Sequence, residues 1–271
     1  MFKLNLLLVG CGKMGHALLT GWKKNNIIEN CHVIDPELKD SETISAEVFY
    51  HASVDMIDPN FIPDVVVFAV KPQIMDIVIP PYQKYVTSKT IFLSIAAGKN
   101  TPYFEHQLGG HAKIIRAMPN TPAAIGKGIT VAYPNQNIQE VDKESIFPLL
   151  QAVGVACWIE DESYLDAVTA VSGSGPAYLF YLIETMAQAG IESGLSPSLA
   201  QTLARQTVVG SAALVENMSE TTASTLRENV TSPGGTTAAA LEVLMKDKNG
   251  LQSLMNDAIE AAVERSKKLS A

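Results

Sequence analysis

Short apolar runs alternate with helix-length stretches through the first 160 residues of the chain. Seven of these runs are rich in β-branched residues and show no apolar–polar alternation, which is typical of strands buried on both faces of a parallel sheet. They are LNLLLVG, CHVID, DVVVFAV, TIFLSIA, KIIRAM, GITVAY and VACWIE. With helical stretches between the strands, the pattern predicts a βαβ series and a mostly parallel sheet.

The strand pattern ends near Glu160, and only helix-length segments follow it. Among the residues that separate them, Ser196 is a predicted N-cap, Pro197 suits a first helical turn, and Gly194 suits a helix end. The predicted helices span residues 163–171, 176–193, 197–218, 221–229, 236–248 and 251–269. The sequence therefore predicts an α/β domain at residues 1–160 and an all-α domain at residues 161–271.

Two of the predicted helices, PAYLFYLIETMAQAGI and TLARQTVVGSAALVENM, are apolar around most of their circumference. Helices of this kind need cover on every side, and their own domain is too small to supply it. We expect a second subunit to pack against them, which makes the protein a homodimer. A compact monomeric bundle is the alternative.

The composition favours a protein that acts on small molecules. A net charge of −8 over 271 residues, without a cluster of Lys and Arg, argues against a nucleic-acid partner. The first apolar run is too short for a signal peptide or a membrane span, so no membrane partner is expected. Three cysteines without CxxC spacing are typical of reduced thiols in the cytoplasm. Five histidines without metal-ligand spacing predict no metal site.

A glycine-rich motif, GCGKMG, follows the first predicted strand. Gly10, Gly12 and Gly15 have the G-x-G-x-x-G spacing, and a predicted helix begins within the motif. Such glycines allow a tight turn, a close approach of backbone to a pyrophosphate, and close packing of helix on strand. Asp35 ends the second predicted strand roughly twenty residues later, where a carboxylate accepts a hydrogen bond from a ribose. The arrangement predicts a Rossmann-like dinucleotide-binding domain.

Asp35 also bears on the choice between the two nicotinamide dinucleotides. A carboxylate accepts from the 2′-hydroxyl of NADH but repels the 2′-phosphate of NADPH, and no Arg lies beside Asp35. NADH is therefore expected to be at least as good a cofactor as NADPH. Because Lys39 is close enough along the chain to weaken this preference, the preference is a hypothesis.

Three further predicted strands end in segments that belong to the same edge of the sheet. These segments are AVKP, SIAAG and RAMPNTPA, and ligands of open α/β sheets gather at this edge. Lys71 is expected near the ribose and phosphates, and Asn120 either bonds the cofactor or holds its loop. The residues predicted to bind the cofactor here are Gly10, Cys11, Gly12, Lys13, Met14, Gly15, Asp35, Ala69, Val70, Lys71, Pro72, Ala96, Ala97 and Asn120.

The region from Tyr164 to Asn229 bears on the type of reaction. The β-hydroxyacid dehydrogenase family also joins a Rossmann domain to a helical one, and it relies on a lysine in the corresponding region as general acid or base. This chain has no lysine there, and its fixed cations in the region are Arg205 and Arg227. A reaction that must protonate an alkoxide would therefore lack its usual catalyst.

Six motifs together resemble those of the pyrroline-5-carboxylate reductase family: GCGKMG, AVKPQ, SIAAG, MPNTPA, AVSGSGPAYLF and ENVTSPGGTTAAALEVL. The resemblance spans nearly the whole chain and implies a Rossmann domain followed by an all-α dimerisation domain. It further implies the reduction of L-1-pyrroline-5-carboxylate to L-proline by NAD(P)H, and an interlocked dimer that often assembles into a decamer. An Asn that many members place before the DVV strand has no clear equivalent in YHASVDMIDPN, which leaves the adenosine contacts there open.

The resemblance gives the SPGGTT turn a role in substrate binding. A predicted helix begins at this turn, and the unpaired N–H groups and dipole of a first helical turn favour an anion such as the substrate carboxylate. By resemblance, Thr237 is the catalytic hydroxyl that faces the imine nitrogen, and Asn229 lies near the cofactor amide or ribose. The residues implied in substrate binding are Ser232, Gly234, Gly235, Thr236 and Thr237. An ordinary helix N-cap turn is the alternative.

Some alternatives stay open at the level of sequence. The SGSGPA segment either permits close packing between subunits, which we favour, or places Ser172 and Ser174 at the substrate. A related reductase with another acceptor is the second functional candidate, and a nucleotide-sensing protein without turnover is the third.

Overall fold

The computed structural model describes residues 3–37 and 47–270, and its central element is an eight-stranded sheet. The strands are β1 (Leu4–Val9), β2 (Ile28–Ile34), β3 (Val48–His51), β4 (Val65–Phe68), β5 (Ile91–Ser94), β6 (Lys113–Met118), β7 (Gly128–Pro134) and β8 (Gly154–Trp158). They lie in the order β3-β2-β1-β4-β5-β6-β7-β8, and all neighbours are parallel except β6 and β7. The prediction of a mostly parallel sheet is confirmed. Lys39 lies outside the described residues.

The sequence pattern missed β3, which forms one edge of the sheet. This strand has only four residues and pairs in parallel with β2, so that His51 lies opposite Ile34. Four residues are too few to produce a periodic signal, and the strand conformation depends on pairing with β2. β2 itself begins at Ile28 rather than at the predicted Cys31.

The helices are α1 (Lys13–Lys24), α2 (Met75–Val78), α3 (Thr101–Leu108), α4 (Glu140–Gln151), α5 (Tyr164–Val168), α6 (Gly175–Glu192), α7 (Pro197–Asn217), α8 (Ala223–Asn229), α9 (Thr236–Leu244) and α10 (Leu251–Ser270). The predicted cap is confirmed, because the Ser196 side chain accepts a hydrogen bond from Leu199 N at 3.4 Å. Gly194 follows α6 with φ +97°, as a helix-ending glycine does.

Two of the predicted helices are shorter than expected. The segment predicted as a helix at 163–171 is the short α5 followed by a π-helical turn at Thr169–Gly173. The helix predicted at 236–248 ends at Leu244, because the chain turns sharply towards α10. At that turn Asn249 has φ +61°, and a Cβ on Gly250 would collide with the carbonyl oxygen of Lys246.

Apolar side chains cover both faces of the sheet, as a parallel sheet requires. On one face Trp22 of α1 is fully buried, and its Nε1 donates to the carbonyl oxygen of Leu149 in α4 at 3.0 Å. On the other face the rings of Phe92 and Phe104 each stack against Phe68, with ring centroids 6.2 Å apart. This double cover holds the strand ends, and the loops that follow them, in place.

The chain forms two compact units. The first unit contains residues 1–173 and 262–271, and the second unit contains residues 174–261. Helix α10 begins in the second unit and ends in the first. By contacts, residues 161–173 thus belong with the sheet, whereas the sequence pattern predicts a boundary after Glu160. None of the helices that the structure describes has the length and apolarity needed to cross a lipid bilayer.

Candidate active site

The glycine-rich loop joins β1 to α1, and its three glycines have different surroundings. Gly10 has φ +90°, and a Cβ there would lie 2.6 Å from Cγ1 of Val70. A Cβ on Gly15 would collide with the carbonyl oxygen of Gly10, so this glycine lets α1 pack directly on the loop. Gly12 is the N-cap of α1, and no described heavy atom lies within 4 Å of the Cβ position there. The open surface over a helix N-terminus fits a pyrophosphate.

Asp35 follows β2 and is tied to this loop. Its Oδ2 accepts a hydrogen bond from Cys11 N at 2.7 Å, and its Oδ1 accepts one from Glu37 N at 3.0 Å. Each carboxylate oxygen keeps a further lone pair, so both stay able to accept from ribose hydroxyls. The half-buried carboxylate is therefore held at the end of β2, beside the glycine-rich loop.

A cleft of about 520 Å³ lies at this edge of the sheet. Its lining includes Gly10, Gly12, Asp35, Ala69, Val70 and Lys71 from the predicted cofactor residues. The structure thus brings the ends of β1, β2 and β4 together, as an open α/β sheet predicts. A larger cleft of about 930 Å³ lies beside Phe147 and Trp158 and contains none of the predicted site residues. The chemistry of the lining, rather than the volume, makes the smaller cleft the candidate site.

The cleft also has walls that sequence reasoning missed. Ala52, Ser53 and Val54 line it directly after β3, where the expected Asn has no clear equivalent. From α2 and its surroundings, the apolar side chains of Ile74 and Ile77 contribute, and Ile77 is 80% exposed. Recognition of β3 in the sequence would have found the first group. An exposed isoleucine gives no sequence signal of its own.

The remaining predicted cofactor residues lie in the glycine-rich loop, at the start of α1 and in the segments that follow β4, β5 and β6. Cys11 belongs to the glycine-rich loop, and Lys13 and Met14 begin α1. Pro72 opens a short 3₁₀ turn whose N-cap is the exposed Lys71. Ala96 and Ala97 follow β5, with Ala96 buried and Ala97 half-buried.

The side chain of Asn120 is bound within the protein at both of its polar ends. Its Oδ1 accepts from Ile129 N at 2.9 Å, and its Nδ2 donates to the carbonyl oxygen of Ser172 at 3.2 Å. The hydroxyl of Ser172 donates to the carbonyl oxygen of Val168 at 2.9 Å. These bonds join the loop after β6 to the π-helical turn. They support the loop-holding alternative for Asn120 and engage both the carbonyl and the hydroxyl of Ser172 within the first unit.

In the second unit, the SPGGTT turn lies between α8 and α9, as predicted. Asn229 is the last residue of α8, and Gly235 N donates to Ser232 O at 3.0 Å within the turn. Gly234 has φ +70°, a conformation that favours glycine. Gly235 is the N-cap of α9 and offers no side chain to bond the first N–H groups of that helix.

The two threonines differ in exposure at this helix entrance. Thr236 is exposed, whereas Thr237 is half-buried. The entrance therefore presents backbone N–H groups, the positive end of the α9 dipole and two hydroxyls at one place. That combination suits a small carboxylate ligand.

Comparisons with known proteins match both parts of the chain. Residues 162–269 match a family described as pyrroline-5-carboxylate reductase dimerisation. A pyrroline-5-carboxylate reductase from Pseudomonas aeruginosa is 37% identical over 97% of this chain and 95% of its own length. The chain belongs to the pyrroline-5-carboxylate reductase family.

Other relatives in the pyrroline-5-carboxylate reductase family agree with this assignment. The solved structure of a reductase from Coxiella burnetii has a TM-score of 0.88 at 33% identity, covering 99% of both chains. That of a Plasmodium falciparum pyrroline carboxylate reductase with NADP bound has a TM-score of 0.83 at 34% identity and covers both chains fully, at 100%. Residues 5–98 also match a family described as NADP oxidoreductase, coenzyme F420-dependent. The predicted fold class, a Rossmann-like domain followed by an all-α dimerisation domain, is confirmed.

Proposed function

We propose that this protein reduces L-1-pyrroline-5-carboxylate to L-proline with NAD(P)H, the last step of proline biosynthesis. The observation that carries the proposal is the similarity to the Pseudomonas aeruginosa reductase, which extends over 97% of this chain. A motif confined to one domain could be shared by many dehydrogenases. Similarity that includes both the nucleotide-binding loop and the helix entrance in the second unit is specific to the whole reaction.

The chemistry of the substrate explains why the site can lack a strong acid. A cyclic imine enters as an iminium ion that already carries its proton on nitrogen. When bound, NAD(P)H supplies a hydride to the carbon of the C=N bond, and the electron pair of that bond passes to nitrogen to give a neutral amine. Because no oxyanion forms, the absence of lysine from residues 164–229 is compatible with this reaction. The protein must chiefly hold and orient the substrate, which is worth several orders of magnitude in rate.

The substrate is proposed to bind at the entrance of α9. The N–H groups and positive helix end hold the carboxylate, with Ser232, Gly234, Gly235 and Thr236 as its partners. Gly235 supports this role because it leaves the backbone uncovered by a side chain. Thr237 is proposed to bond the imine nitrogen and to orient the C=N bond.

The cofactor is proposed to bind in the cleft at the edge of the sheet in the first unit. Gly10, Gly12 and Gly15, with Cys11, Lys13 and Met14, surround the pyrophosphate, and Asp35 reads the ribose. Ala69, Val70, Lys71 and Pro72 form a second wall, Ala96 and Ala97 form a third, and Asn120 holds the neighbouring loop. Asn229 is a further proposed cofactor residue, on the basis of the family resemblance alone. The orientation of Asp35 by Cys11 N supports NADH as a cofactor at least as good as NADPH.

The proposed assembly is a homodimer through the second unit. Large apolar side chains of α6 and α7 that are exposed in the single chain support it, including Phe180, Tyr181 and Val209. A decamer built from such dimers is a further proposal that rests on the family resemblance. The cytoplasm is the proposed location and rests on the cysteine usage in the sequence.

One assay separates the functional candidates. Purified protein is mixed with NADH and L-1-pyrroline-5-carboxylate, and the absorbance of NADH at about 340 nm is followed while chromatography identifies proline. Turnover supports the proposal, and binding of NADH without turnover favours the nucleotide-sensing alternative. Faster reduction of a six-membered cyclic imine or of a keto acid would favour a related reductase with another acceptor.

A further inference from the structure

The last turn of α10 packs against the loop that follows β5. Gly98 in this loop has φ +77°, and a Cβ there would lie 2.6 Å from the carbonyl oxygen of Leu269 and 3.0 Å from its Cβ. Both residues belong to the first unit. Since any side chain on Gly98 would displace the helix end, the loop and the last turn of α10 are fitted to one another.

A partly buried hydrogen bond anchors this end of the helix. Ser266 is only 6% exposed, and its Oγ donates to Oδ1 of Asp166 in α5 at 2.6 Å. Ser266 lies one turn before Leu269, so the bond holds the turn that contacts Gly98. The neighbouring Lys267, by contrast, has a side chain that is 58% exposed and pairs with Glu264 at the surface.

The loop that Leu269 contacts carries Ala96 and Ala97. Other hydrogen bonds hold the two ends of this loop. At its start, Ala96 N donates to Oγ of Ser94 at 3.2 Å. At its end, N and Oγ1 of Thr101 donate to the carboxylate of Glu162 at 2.8 and 2.7 Å. Gly98 lies between these two ends, where the helix contacts the loop.

We propose that Ser266 and Gly98 are positioning residues for the cofactor. Through the Ser266–Asp166 bond, the last turn of α10 holds the middle of the loop in one conformation and keeps Ala96 and Ala97 ready for the cofactor. Because the loop is already ordered in the free protein, less conformational entropy is lost when the cofactor binds, and the affinity for the cofactor is higher. This inference rests on the proposed function, in which Ala96 and Ala97 form a wall of the cofactor site.

The test substitutes Ser266→Ala in the full-length protein. Hydrogen exchange of the amides at residues 95–99 is expected to become faster, while exchange in β1 and β4 stays unchanged. The Kd for NADH, from fluorescence titration, is expected to rise about three- to tenfold, which is less than the full cost of a lost hydrogen bond to a charged group because the bond acts on the cofactor only through the loop. The KM for NADH should rise with it, whereas kcat should change less than about twofold. Ser266→Thr keeps the hydroxyl and should restore both values, and Lys267→Ala is the matched control on the same turn.

Two results would overturn the proposal. The first is that neither Ser266→Ala nor a chain that ends at residue 265 changes the hydrogen exchange at residues 95–99 or the affinity for NADH. The other is faster exchange throughout the sheet with a lowered Tm, which would make Ser266 a general structural residue. Neither measurement needs turnover of the imine. Failure of the wild-type protein to reduce pyrroline-5-carboxylate would therefore count against the proposed function and leave the loop measurement interpretable.

Discussion

Thr237 stands at the first turn of α9 in a half-buried position, whereas its neighbour Thr236 is exposed. A hydroxyl in such a place can hold one polar atom of a small ligand in a fixed direction. Asp35 has a comparable position in the first unit, where two backbone amides orient its carboxylate. At the scale of single residues, the proposed chemistry depends on these two side chains.

Replacement of Thr237 by alanine is expected to lower kcat/KM for pyrroline-5-carboxylate by about tenfold or more, the cost of one lost oriented hydrogen bond. The Kd for NADH should stay nearly unchanged, since the helix entrance is proposed to bind the substrate. Steady-state kinetics and a binding titration measure the two quantities. Thr237→Ser keeps the hydroxyl and should retain most of the activity, and Thr20→Ala on the exposed side of α1 is the control. An unaltered rate in Thr237→Ala would remove this residue from the site.

Replacement of Asp35 by alanine is expected to improve NADPH relative to NADH, because a carboxylate that repels the 2′-phosphate is removed. The ratio of kcat/KM for the two cofactors measures the effect. Glu29→Ala removes an exposed carboxylate from β2 and should leave the ratio unchanged. A constant ratio in Asp35→Ala would mean that this residue does not read the ribose.

His32 and His51 form a pair at the β2–β3 edge, with Nδ1 and Nε2 2.8 Å apart and ring centroids 5.0 Å apart. Burial lowers the pKa of both rings below the ordinary value of about 6.5, and the neighbouring His51 lowers the pKa of His32 further. The unfolded chain therefore binds protons at a higher pH than the folded chain does.

The free energy of unfolding is thus expected to be highest above pH ~6.5 and to fall as the pH drops through the lowered pKa values. Urea unfolding at a series of pH values measures this dependence. His51→Asn should flatten the profile below pH ~6.5, since one of the two depressed groups is gone. His106→Gln changes an exposed histidine and should leave the profile as in the wild type. If His51→Asn leaves the profile unaltered, the lowered pKa of His51 does not contribute to the pH dependence of the free energy of unfolding.

At the scale of elements, the β1–loop–α1 unit combines packing and binding in three glycines. Gly15 is needed because α1 lies directly on the backbone of Gly10, while Gly12 faces open space. The sequence motif predicts a tight turn, a close backbone approach and a packing contact, without showing the surroundings of each glycine. The structure separates a glycine that permits packing from one that leaves room for a ligand.

This difference predicts that two alanine substitutions affect stability and NADH binding in different proportions. Gly15→Ala is expected to lower the free energy of unfolding by about 1–3 kcal/mol through overpacking and to weaken NADH binding as well. Gly12→Ala should cost less than about 1 kcal/mol, the loss of a preferred N-cap residue, yet weaken NADH binding at least as much. Chemical denaturation and NADH titration of both variants measure these effects. Equal stability losses would show that the two glycines do not have separate roles.

At the scale of the whole molecule, the second unit exposes many large apolar side chains. Leu179, Phe180 and Tyr181 of α6 are 52–66% exposed in the single chain. The family match over residues 162–269 is itself described as a dimerisation region. Contiguous apolar surface of this kind marks an interface.

Sedimentation of the wild-type protein is therefore expected to show a dimer or a larger assembly. Phe180→Glu is expected to raise the Kd of subunit association by at least about tenfold, because a charge would be buried in the interface. Analytical ultracentrifugation over a concentration series measures the change. Gln151→Glu adds the same charge at an exposed position of the first unit and should leave the assembly intact. A monomeric wild-type protein would support the compact bundle instead.

Local sequence patterns predict some strands and site residues of this protein but not others. The apolar runs of β1 and β4 predict buried strands directly, because a strand covered on both faces has no polar alternation. The strand β3 and the cleft residues Ala52 to Val54 carry no such signal, since their role comes from pairing with β2. Asn120 shows the same limit, because its bond partners Ile129 and Ser172 lie 9 and 52 residues away along the chain.

The sequence by itself determined the α/β and all-α parts, the glycine-rich loop with its acidic partner and the turn at the entrance of α9. These features are local, so periodicity, caps and glycine spacing are sufficient to specify them. Only the tertiary structure decided which glycine permits packing, that Asn120 is bound at both ends, and that α10 returns to the loop around Gly98. Each of those depends on contacts between segments far apart in the chain, which no local pattern encodes.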